Sequence, residues 1–383
     1  MKKLLYSCIL MLTLGCKQRF EPQITQPVNG YLVVDGTINS GTGPTTIRLS
    51  RAILLADSTR PKNERNAIVR VEGENNTQFP LIEMSPGIYI ASQLTLNANV
   101  KYRLYIKTAD NKEYRSDFTS VIKTPAIDAI RWEQPANGLD IYVNAHDPQN
   151  NTRYYRWEWS ETWEFHSAYT TQLDYTKNNL GEVTGVKYKY PDQAIDTNVY
   201  VCWKTEPSTN ILIGSTAKLV KDSVDLPLHF IPRASQKISV LYSINVRQNA
   251  LSKNGYDFLS RMKKNTESTG TLFDAQPSEL VGNIHAVNNP LEVVIGFIDV
   301  ADVHEKRIFI QPSDLDNWGY RSGCTETLVP NIPDSVRAYS YLTPTMAAET
   351  SPTGAIISFY GSDIACVICT LTGVHQKPSF WPR

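Results

Sequence analysis

Residues 154–169 form a stretch rich in tryptophan and glutamate, and these side chains are the best suited to chemistry. Trp157 and Trp159 are two residues apart, so on a β-strand they point to the same face, and Trp163 follows shortly after. One interpretation is the core of a β-sandwich, where buried tryptophan is common. The other is a platform for stacking sugar rings, with Glu158 and Glu161 accepting hydroxyl hydrogen bonds. Core packing is the favoured interpretation.

The same glutamates suggest hydrolysis of glycans as an alternative. Glu158, Glu161 or Glu164 could pair with Asp174, provided that the two carboxylates lie about 5–9.5 Å apart across one cleft. Glutamates on an aromatic strand more often form a solvated rim. The sequence has no His-Glu-x-x-His, no Gly-x-Ser-x-Gly, no phosphate loop and no dinucleotide fingerprint, and its 6 histidines have no metal-ligand spacing. We therefore predict no catalytic residue, no metal and no cofactor.

Four cysteines follow residue 16, namely Cys202, Cys324, Cys366 and Cys369. An even number of thiols in an exported protein indicates two disulfides. The Cys366-x-x-Cys369 spacing also fits half a zinc site or a redox pair, but a redox cysteine needs a helix N-terminus and the surrounding residues favour strands. We predict that Cys324 pairs with Cys366 or Cys369, and that Cys202 takes the remaining thiol.

The first residues have the layout of a secretory signal. Lys2 and Lys3 precede an apolar run from Leu4 to Leu14, and Gly15-Cys16 follows. Eleven residues cannot span a membrane, which needs about 20. The pattern predicts a signal peptide over 1–15, lipidation of Cys16 and a lipidated tether over 16–28. The N-terminal lipid would anchor the protein to the membrane. An ordinary signal peptide that is cut elsewhere is the alternative.

The charge balance argues against a nucleic acid partner. The chain has 38 basic and 38 acidic residues, and loss of Lys2 and Lys3 with the leader leaves an excess of two acidic residues. Binding to phosphates requires a clustered basic face. We therefore expect no nucleic acid partner.

The elements that would position these residues are mainly β-strands. Short alternating strands between turns over 29–125 predict an immunoglobulin-like or transthyretin-like β-sandwich. A second, larger β-sandwich-type domain is predicted over 126–310, with one helix near 250–264 and a buried central strand over 291–298. The segment 311–383 is predicted to be rich in loops and stapled by disulfides, because it has few long apolar strands.

A series of modest motifs occurs in a characteristic order along almost the whole chain. It includes Tyr31-Leu-Val-Val-Asp-Gly, Lys123-Thr-Pro125, Tyr154-Tyr-Arg-Trp157, Cys202-Trp203, Gly282-Asn283-Ile284, Cys366-x-x-Cys369 and Lys377-Pro-Ser-Phe-Trp381. In this order, after a lipidation motif, the chain resembles the Bacteroidota lipoproteins grouped as domain of unknown function 4249. The resemblance implies an outer-membrane lipoprotein that is commonly encoded beside TonB-dependent receptors. It supplies no catalytic residue.

These observations lead to an expected function. We expect a non-enzymatic lipoprotein of the cell envelope that binds a ligand or assists a TonB-dependent outer-membrane transporter. A glycan-active hydrolase and a purely structural envelope protein are the alternatives. Lys17-Gln18-Arg19 follows the lipidated cysteine, where surface-displayed lipoproteins tend to carry acidic residues, so the periplasmic face of the outer membrane is favoured.

Overall fold

The computed structural model describes residues 30–52, 62–267 and 280–382. The predicted signal peptide, Cys16 and the tether over 16–28 lie outside these residues. Within them the chain is mainly β, which confirms the predicted fold class.

The strands are, in chain order, β1 (Leu32–Asn39), β2 (Thr45–Arg51), β3 (Lys62–Asn63), β4 (Ile68–Gly73), β5 (Gln78–Ser85), β6 (Ile88–Ala91), β7 (Tyr102–Lys107), β8 (Glu113–Ser116), β9 (Val121–Ile122), β10 (Ile127–Glu133), β11 (Gly138–His146), β12 (Tyr154–His166), β13 (Leu173–Lys177), β14 (Val183–Tyr188), β15 (Val201–Pro207), β16 (Leu212–Ser215), β17 (Ser223–Pro232), β18 (Leu241–Ala250), β19 (Ile284–Ala286), β20 (Val294–Gly296), β21 (Val300–Ala301), β22 (Val303–Ile310), β23 (Thr327–Pro330), β24 (Thr343–Thr350) and β25 (Ile356–Ser362). The α-helices are α1 (Lys253–Glu267), α2 (Pro333–Ala338) and α3 (Ile364–Val367).

The strands of the N-terminal sandwich are hydrogen-bonded in one continuous series, and their inward side chains form a single core. Its strand order is β19-β8-β7-β4-β5-β6-β2-β1-β21-β9, with β20 beside β1 and β3 beside β2. In β7 the alternating residues Tyr102, Leu104 and Ile106 are all buried, as their spacing predicts. Side chains from β1, β2, β4, β6 and β8 meet them in the same cluster.

Strands from far along the chain complete this N-terminal sandwich. The strand β19 pairs with β8, and both β20 and β21 pair in parallel with β1. Residues 284–301 were assigned from the sequence to the range of the second domain, but they hydrogen-bond to the first. The chain therefore connects the two domains near residue 125 and again through residues 284–301, which return to the N-terminal sandwich.

The second domain is a sandwich of two sheets. One sheet has the order β10-β11-β17, and the other has the order β15-β12-β18-β22, with β16 also paired to β12. Their inward side chains form one buried cluster that contains Ile141, Val143, Tyr155, Trp157 and Ile244, among others. The 13-residue strand β12 contributes to this core along its whole length, because every second side chain from Tyr155 to Phe165 is buried.

The predicted helix is present but begins later than its pattern suggested. Residue 250 still belongs to β18, and α1 starts at Lys253, where Ser252 Oγ accepts a hydrogen bond from the Gly255 amide at 3.0 Å. Phe258 and Leu259 are buried at 1% and 7% exposure, so the predicted apolar face is confirmed.

The prediction of a long buried strand over 291–298 is wrong. Only Val294–Gly296 forms a strand, and Leu291 is 91% exposed. A turn in which the Glu292 amide bonds to the Asn289 carbonyl precedes this strand, and the Glu292 carboxylate is held by Lys112 and Tyr114. The apolar composition of 291–298 predicted a continuous strand and gave no sign of this turn.

The C-terminal segment builds a small unit of its own. The sheet β23-β25-β24 and the hairpin β13–β14 share a core of Leu173, Val186, Val329, Val336 and Phe359. Two disulfides staple this segment: Cys202–Cys369 joins it to β15 and Cys324–Cys366 lies within it, with Cα separations of 5.8 and 5.9 Å. This is one of the two pairings that the sequence predicted, and it confirms a stapled segment. The segment contains more strand than expected.

Candidate functional site

The three tryptophans of the proposed sugar platform lie inside the second domain. Trp157, Trp159 and Trp163 are only 0%, 6% and 4% exposed. Trp157 Nε1 donates a hydrogen bond to Gln248 Oε1 at 2.7 Å, and its ring stacks on Tyr155 with centroids 5.5 Å apart. No face of the Trp157 indole is open to a sugar. All three indoles therefore belong to the core of the second domain.

Glu161 lies on the same inner face of β12 and is held by three partners. Its carboxylate accepts hydrogen bonds from Lys237 Nζ and the Tyr242 hydroxyl, each at 2.8 Å, and His229 Nε2 lies 2.9 Å away. Burial by itself would raise the pKa of Glu161. The bonds from His229, Lys237 and Tyr242 outweigh burial and lower the pKa to about 2. Glu161 is therefore a structural anion between the two sheets.

Replacing Glu161 by glutamine is expected to remove a pH-dependent part of the stability. The folded pKa lies below the ordinary value of 4.5, so the stabilisation is complete above pH 4.5 and is lost as the pH falls toward about 2. This difference corresponds to about 3 kcal/mol. Chemical unfolding between pH 2 and 7 should show a much flatter profile for the variant than for the wild type.

Glu206→Gln is the matched control for this prediction. Glu206 contacts the same Lys237 at 3.6 Å, but its side chain is 42% exposed and its interactions are screened by water. The variant should keep nearly the whole acid dependence of the wild type. An equal loss in both variants would contradict the role assigned to Glu161.

The three glutamates of β12 are not placed as a catalytic pair with one another. Glu158 and Glu161 lie on opposite faces of β12, because they are separated by an odd number of residues along one strand. Glu158 and Glu164 share a face but are six residues apart, roughly 20 Å along a strand and beyond the spacing of such a pair. Asp174 lies in the β13–β14 hairpin, where it faces Lys189. Within β12, therefore, no two glutamates have the separation that the hydrolase alternative requires.

Glu158 and Trp159 do line a cavity, which we call the interdomain cleft. It has a volume of about 560 Å³ and lies between the N-terminal sandwich, the second domain and α1. The N-terminal sandwich contributes Val33, Val34, Asp35, Arg48, Ile295 and Phe297; the second domain contributes Arg156, Glu158, Trp159, Ser160, Arg247 and residues 207–211; α1 contributes Phe258, Leu259 and Met262. Pockets of this size at domain junctions commonly hold small ligands.

A row of charged side chains crosses one wall of the interdomain cleft. Arg156 contacts Asp35 Oδ1 at 2.9 Å and Glu158 Oε1 at 2.7 Å, so it joins the two domains. Arg48 lies 3.4 Å from Asp35, and Arg247 lies 4.0 Å from Glu158. Arg247 Nε also lies 3.1 Å from Glu305, so the row alternates three arginines with three carboxylates.

Two members of this row, Asp35 and Arg156, are held in their ionised forms. Burial would raise the pKa of Asp35, but Arg156 and Arg48 lower it further than burial raises it. Burial would likewise lower the pKa of Arg156, and Asp35 and Glu158 more than compensate. A ligand in the cleft therefore meets fixed charges.

The other wall of the interdomain cleft is apolar and only partly covered. Val33, Ile211, Met262, Ile295 and Phe297 are each half-buried, so part of each side chain faces the space. The ring of Phe297 packs on Phe258 of α1 with centroids 5.9 Å apart. The lining of the cleft is thus partly apolar and partly charged, which suits a ligand with both kinds of group.

A larger cavity of about 930 Å³ lies beside the connection between the two domains. The charged groups around it already have partners: His146 lies 2.7 Å from Asp128, Lys123 pairs with Asp302 outside the cavity lining, and Lys253 pairs with Asp257. None of the candidate platform or catalytic side chains named from the sequence lines this cavity. The interdomain cleft is therefore the better candidate.

Sequence reasoning missed most of the interdomain cleft. Arg156 and Asp35 are 121 positions apart, and Phe297 comes from the returning strand segment. The available signal was the pair Arg156 and Glu158, two charged residues on the outer face of a strand whose other face is apolar.

No helix in residues 30–52, 62–267 and 280–382 is long and apolar enough to cross a membrane. The same ranges contain no group of three or more His, Cys, Asp or Glu side chains placed to hold a metal ion.

Comparison with solved structures gives only distant similarity. A structure described as manganese lipoxygenase of Gaeumannomyces graminis with partial zonadhesin of Komagataella pastoris is 9% identical, covers 58% of this chain and 89% of that chain, and has a TM-score of 0.18. Chitinase ChiA74 from Bacillus thuringiensis is 10% identical, with coverages of 54% and 29% and a TM-score of 0.16. A putative carbohydrate binding protein from Bacteroides uniformis is 10% identical, with coverages of 58% and 90% and a TM-score of 0.13. These scores are too low to support an argument about fold or function.

Comparison of the sequence with families is more specific. No curated protein matches the chain. The family described as Domain of unknown function (DUF4249) matches residues 17–307, which is about three quarters of the sequence and includes every residue that lines the interdomain cleft. The chain therefore belongs to the DUF4249 family.

Proposed function

We propose that this chain is a non-enzymatic, lipid-anchored protein of the outer membrane that binds a ligand in the interdomain cleft and assists a TonB-dependent transporter. The observation that carries the proposal is the cleft itself, whose lining combines charged and half-buried apolar side chains at the junction of two domains. Binding sites of soluble domains commonly have this composition and location.

The rigidity of the cleft supports a binding role. Arg156 ties the two domains together through Asp35 and Glu158, and α1 packs Phe258 on Phe297. A cleft held in shape before the ligand arrives loses less conformational entropy on binding. Its walls come from segments near residues 35, 156, 247 and 297, so the whole fold contributes to positioning them.

The anchoring part of the proposal rests on the N-terminal sequence. The run from Leu4 to Leu14 before Gly15-Cys16 fits a lipoprotein signal, and acyl chains bury enough methylene groups to hold a protein at a membrane. We place the protein on the periplasmic face, in keeping with the basic residues Lys17 and Arg19.

Purification of the tagged, lipidated chain from its own membranes tests the proposal. After mild chemical crosslinking, mass spectrometry of the co-purified material should identify a TonB-dependent receptor in stoichiometric amount. The Cys16→Ala variant is the control, because it should leave the membrane fraction and lose the receptor while its thermal melt stays unchanged.

Two results would overturn the proposal. One is a Cys16→Ala variant that stays wholly with the membrane, which would contradict the lipid anchor. The other is a lipidated chain that is repeatedly recovered without a receptor, which would favour a purely structural role in the envelope.

A further inference from the structure

The strands β4, β5, β7 and β8 have an outer face that points away from the second domain. Their inward side chains share one core with those of β1 and β2. The outward side chains Asp35 and Arg48 of β1 and β2 line the interdomain cleft. Because the two groups of strands lie on opposite sides of one core, the outward side chains of β4, β5, β7 and β8 lie on the far side of the sandwich. We call this surface the outer sheet face.

Large apolar side chains are exposed together on the outer sheet face. Ile82 and Met84 of β5 are 67% and 69% exposed, and Ile68 of β4 is 58% exposed. Since Val69 pairs with Leu81, Ile68 and Ile82 are neighbours on adjacent strands. Single exposed apolar residues are common, but a contiguous group of them marks an interaction surface.

Basic side chains cross the same face beside this apolar group. Arg70 pairs with Tyr105 of β7, and Tyr105 pairs with Arg115 of β8, so the three side chains form one row. The Arg70 guanidinium lies 3.6 Å from the centroid of the Tyr105 ring, and the Arg115 guanidinium lies 5.5 Å from it. Both arginines are partly exposed.

The outer sheet face has more basic than acidic groups. Strands β4, β7 and β8 direct four cations and two carboxylates outward, namely Arg70, Arg103, Lys107, Arg115, Glu72 and Glu113. Glu72 is shared by Arg70 and Arg103, each at 2.8 Å, and Glu113 lies 3.8 Å from Lys107. The four cations therefore have two carboxylates between them.

Arg115 is the cation of this face without a carboxylate partner. It forms no ion pair with a carboxylate of residues 30–52, 62–267 or 280–382, and its Nε atom has no hydrogen-bond partner there. Asp117, just after the end of β8, lies 3.3 Å from His285 instead. The guanidinium of Arg115 is therefore available to an external phosphate, which arginine binds well.

The place of this sandwich in the chain keeps the face near the proposed lipid anchor. Gly30, the first described residue, is 14 positions after Cys16. An extended chain spans at most about 3.5 Å per residue, so the sandwich stays within about 50 Å of a bilayer that holds the lipid. Such a tether gives the face a high effective concentration at the bilayer, and a weak contact is then enough to orient the protein.

We propose that the outer sheet face docks on the surface of an anionic phospholipid bilayer. Ile82 and Met84 enter the headgroup region, and Arg70 and Arg115 bond to lipid phosphates. The excess of basic groups selects anionic lipid, and the exposed apolar side chains favour a bilayer over a soluble anion. This inference rests on the lipid anchor of the proposed function, because the anchor supplies the bilayer. Docking on this face directs the second domain away from the bilayer.

Sedimentation of the unlipidated Cys16→Ala protein with vesicles tests this inference. Vesicles of phosphatidylglycerol with phosphatidylethanolamine present an anionic surface, and vesicles of phosphatidylcholine present a neutral one. The protein should bind the anionic vesicles at least about 10-fold more tightly, because each basic side chain near an anionic surface contributes roughly five-fold. High salt should remove most of this difference.

A charge substitution tests the basic part of the face. Arg115→Gln breaks no ion pair, so it should weaken binding to anionic vesicles about five-fold and leave binding to neutral vesicles unchanged. Arg321→Gln is the matched control, because Arg321 is exposed beside Tyr320, which packs on the core of the second domain. The control should bind both kinds of vesicle as the parent protein does.

A pair of polar substitutions tests the apolar part. Ile82→Ser with Met84→Ser should weaken binding to both kinds of vesicle, and it should cost little stability because both side chains are exposed. Leu328→Ser with Ile357→Ser is the matched control, at positions of the C-terminal sheet that are 55% and 50% exposed. It should change neither affinity.

Three results would overturn the inference: equal affinity for the two kinds of vesicle, affinity for anionic vesicles unchanged by both sets of substitutions, or no vesicle binding by protein with a wild-type thermal melt. The assay needs neither the lipid on Cys16 nor a receptor. Failed vesicle binding beside a lipidated chain that is held in membranes would reject only the docking face. A Cys16→Ala variant that stays in cell membranes through a high-salt wash would reject only the anchor.

Discussion

Replacing Trp157 by alanine is expected to lower the free energy of unfolding by about 3–5 kcal/mol. The side chain is fully buried, and a Cβ placed on Gly214 would lie only 2.8 Å from its ring, so the indole packs directly against the backbone of β16. The change also removes the partner of the buried Gln248 side-chain oxygen. Chemical unfolding followed by circular dichroism gives the measurement.

Two further variants make this result specific. Trp132→Ala removes the same side chain from a position that is 37% exposed, so it should cost much less. Trp157→Phe keeps most of the apolar area but loses the hydrogen bond to Gln248, and it should fall between the two. An unchanged melting temperature for Trp157→Ala would revive the ligand platform.

Periodicity along single strands was the part of the fold that the sequence predicted well. The two-residue spacing of Trp157 and Trp159 predicted a shared face, and both are buried on it. The same spacing in β7 predicted Tyr102, Leu104 and Ile106 correctly. Such patterns are readable because each side chain's direction depends only on its position in a regular strand.

The burial of Glu161 also follows from this periodicity. Glu161 is four residues after Trp157, so the alternation that buries Trp157 buries the glutamate as well. The partners that offset the cost of burying the carboxylate could not be predicted, because Lys237 and His229 come from segments about 70 positions further along the chain. An acidic residue on an apolar face predicts a buried ion pair only when its partners are known.

Strand pairing between distant segments could not be predicted from any local sequence pattern. The strand β20 is three residues long and pairs in parallel with β1, from Leu32↔Val294 to Val34↔Gly296. A segment that short has almost no periodicity of its own, and its place is decided by the open edge that β1 presents. The interdomain cleft depends on this pairing, because Ile295 and Phe297 form part of its apolar wall.

Removing the Cys202–Cys369 disulfide is expected to destabilise the protein more than removing Cys324–Cys366. The first bond closes a loop of 167 residues and the second a loop of 42. In the chain-entropy model these loops correspond to about 5 and 4 kcal/mol, and measured values are commonly smaller. Cys202 and Cys369 are also 0% and 3% exposed, so their loss leaves a cavity in the core of the second domain.

Both cysteines of a pair have to be replaced for this comparison to be valid. Cys366 and Cys369 are three residues apart, so a thiol left free at either position can attack the neighbouring disulfide and re-pair. The variants Cys202→Ala with Cys369→Ala, and Cys324→Ala with Cys366→Ala, each leave the other disulfide without a competing thiol. Unfolding in denaturant without reductant should rank the first variant as the less stable. The opposite order would mean that the C-terminal sheet, rather than the core around Cys202, limits the stability of the fold.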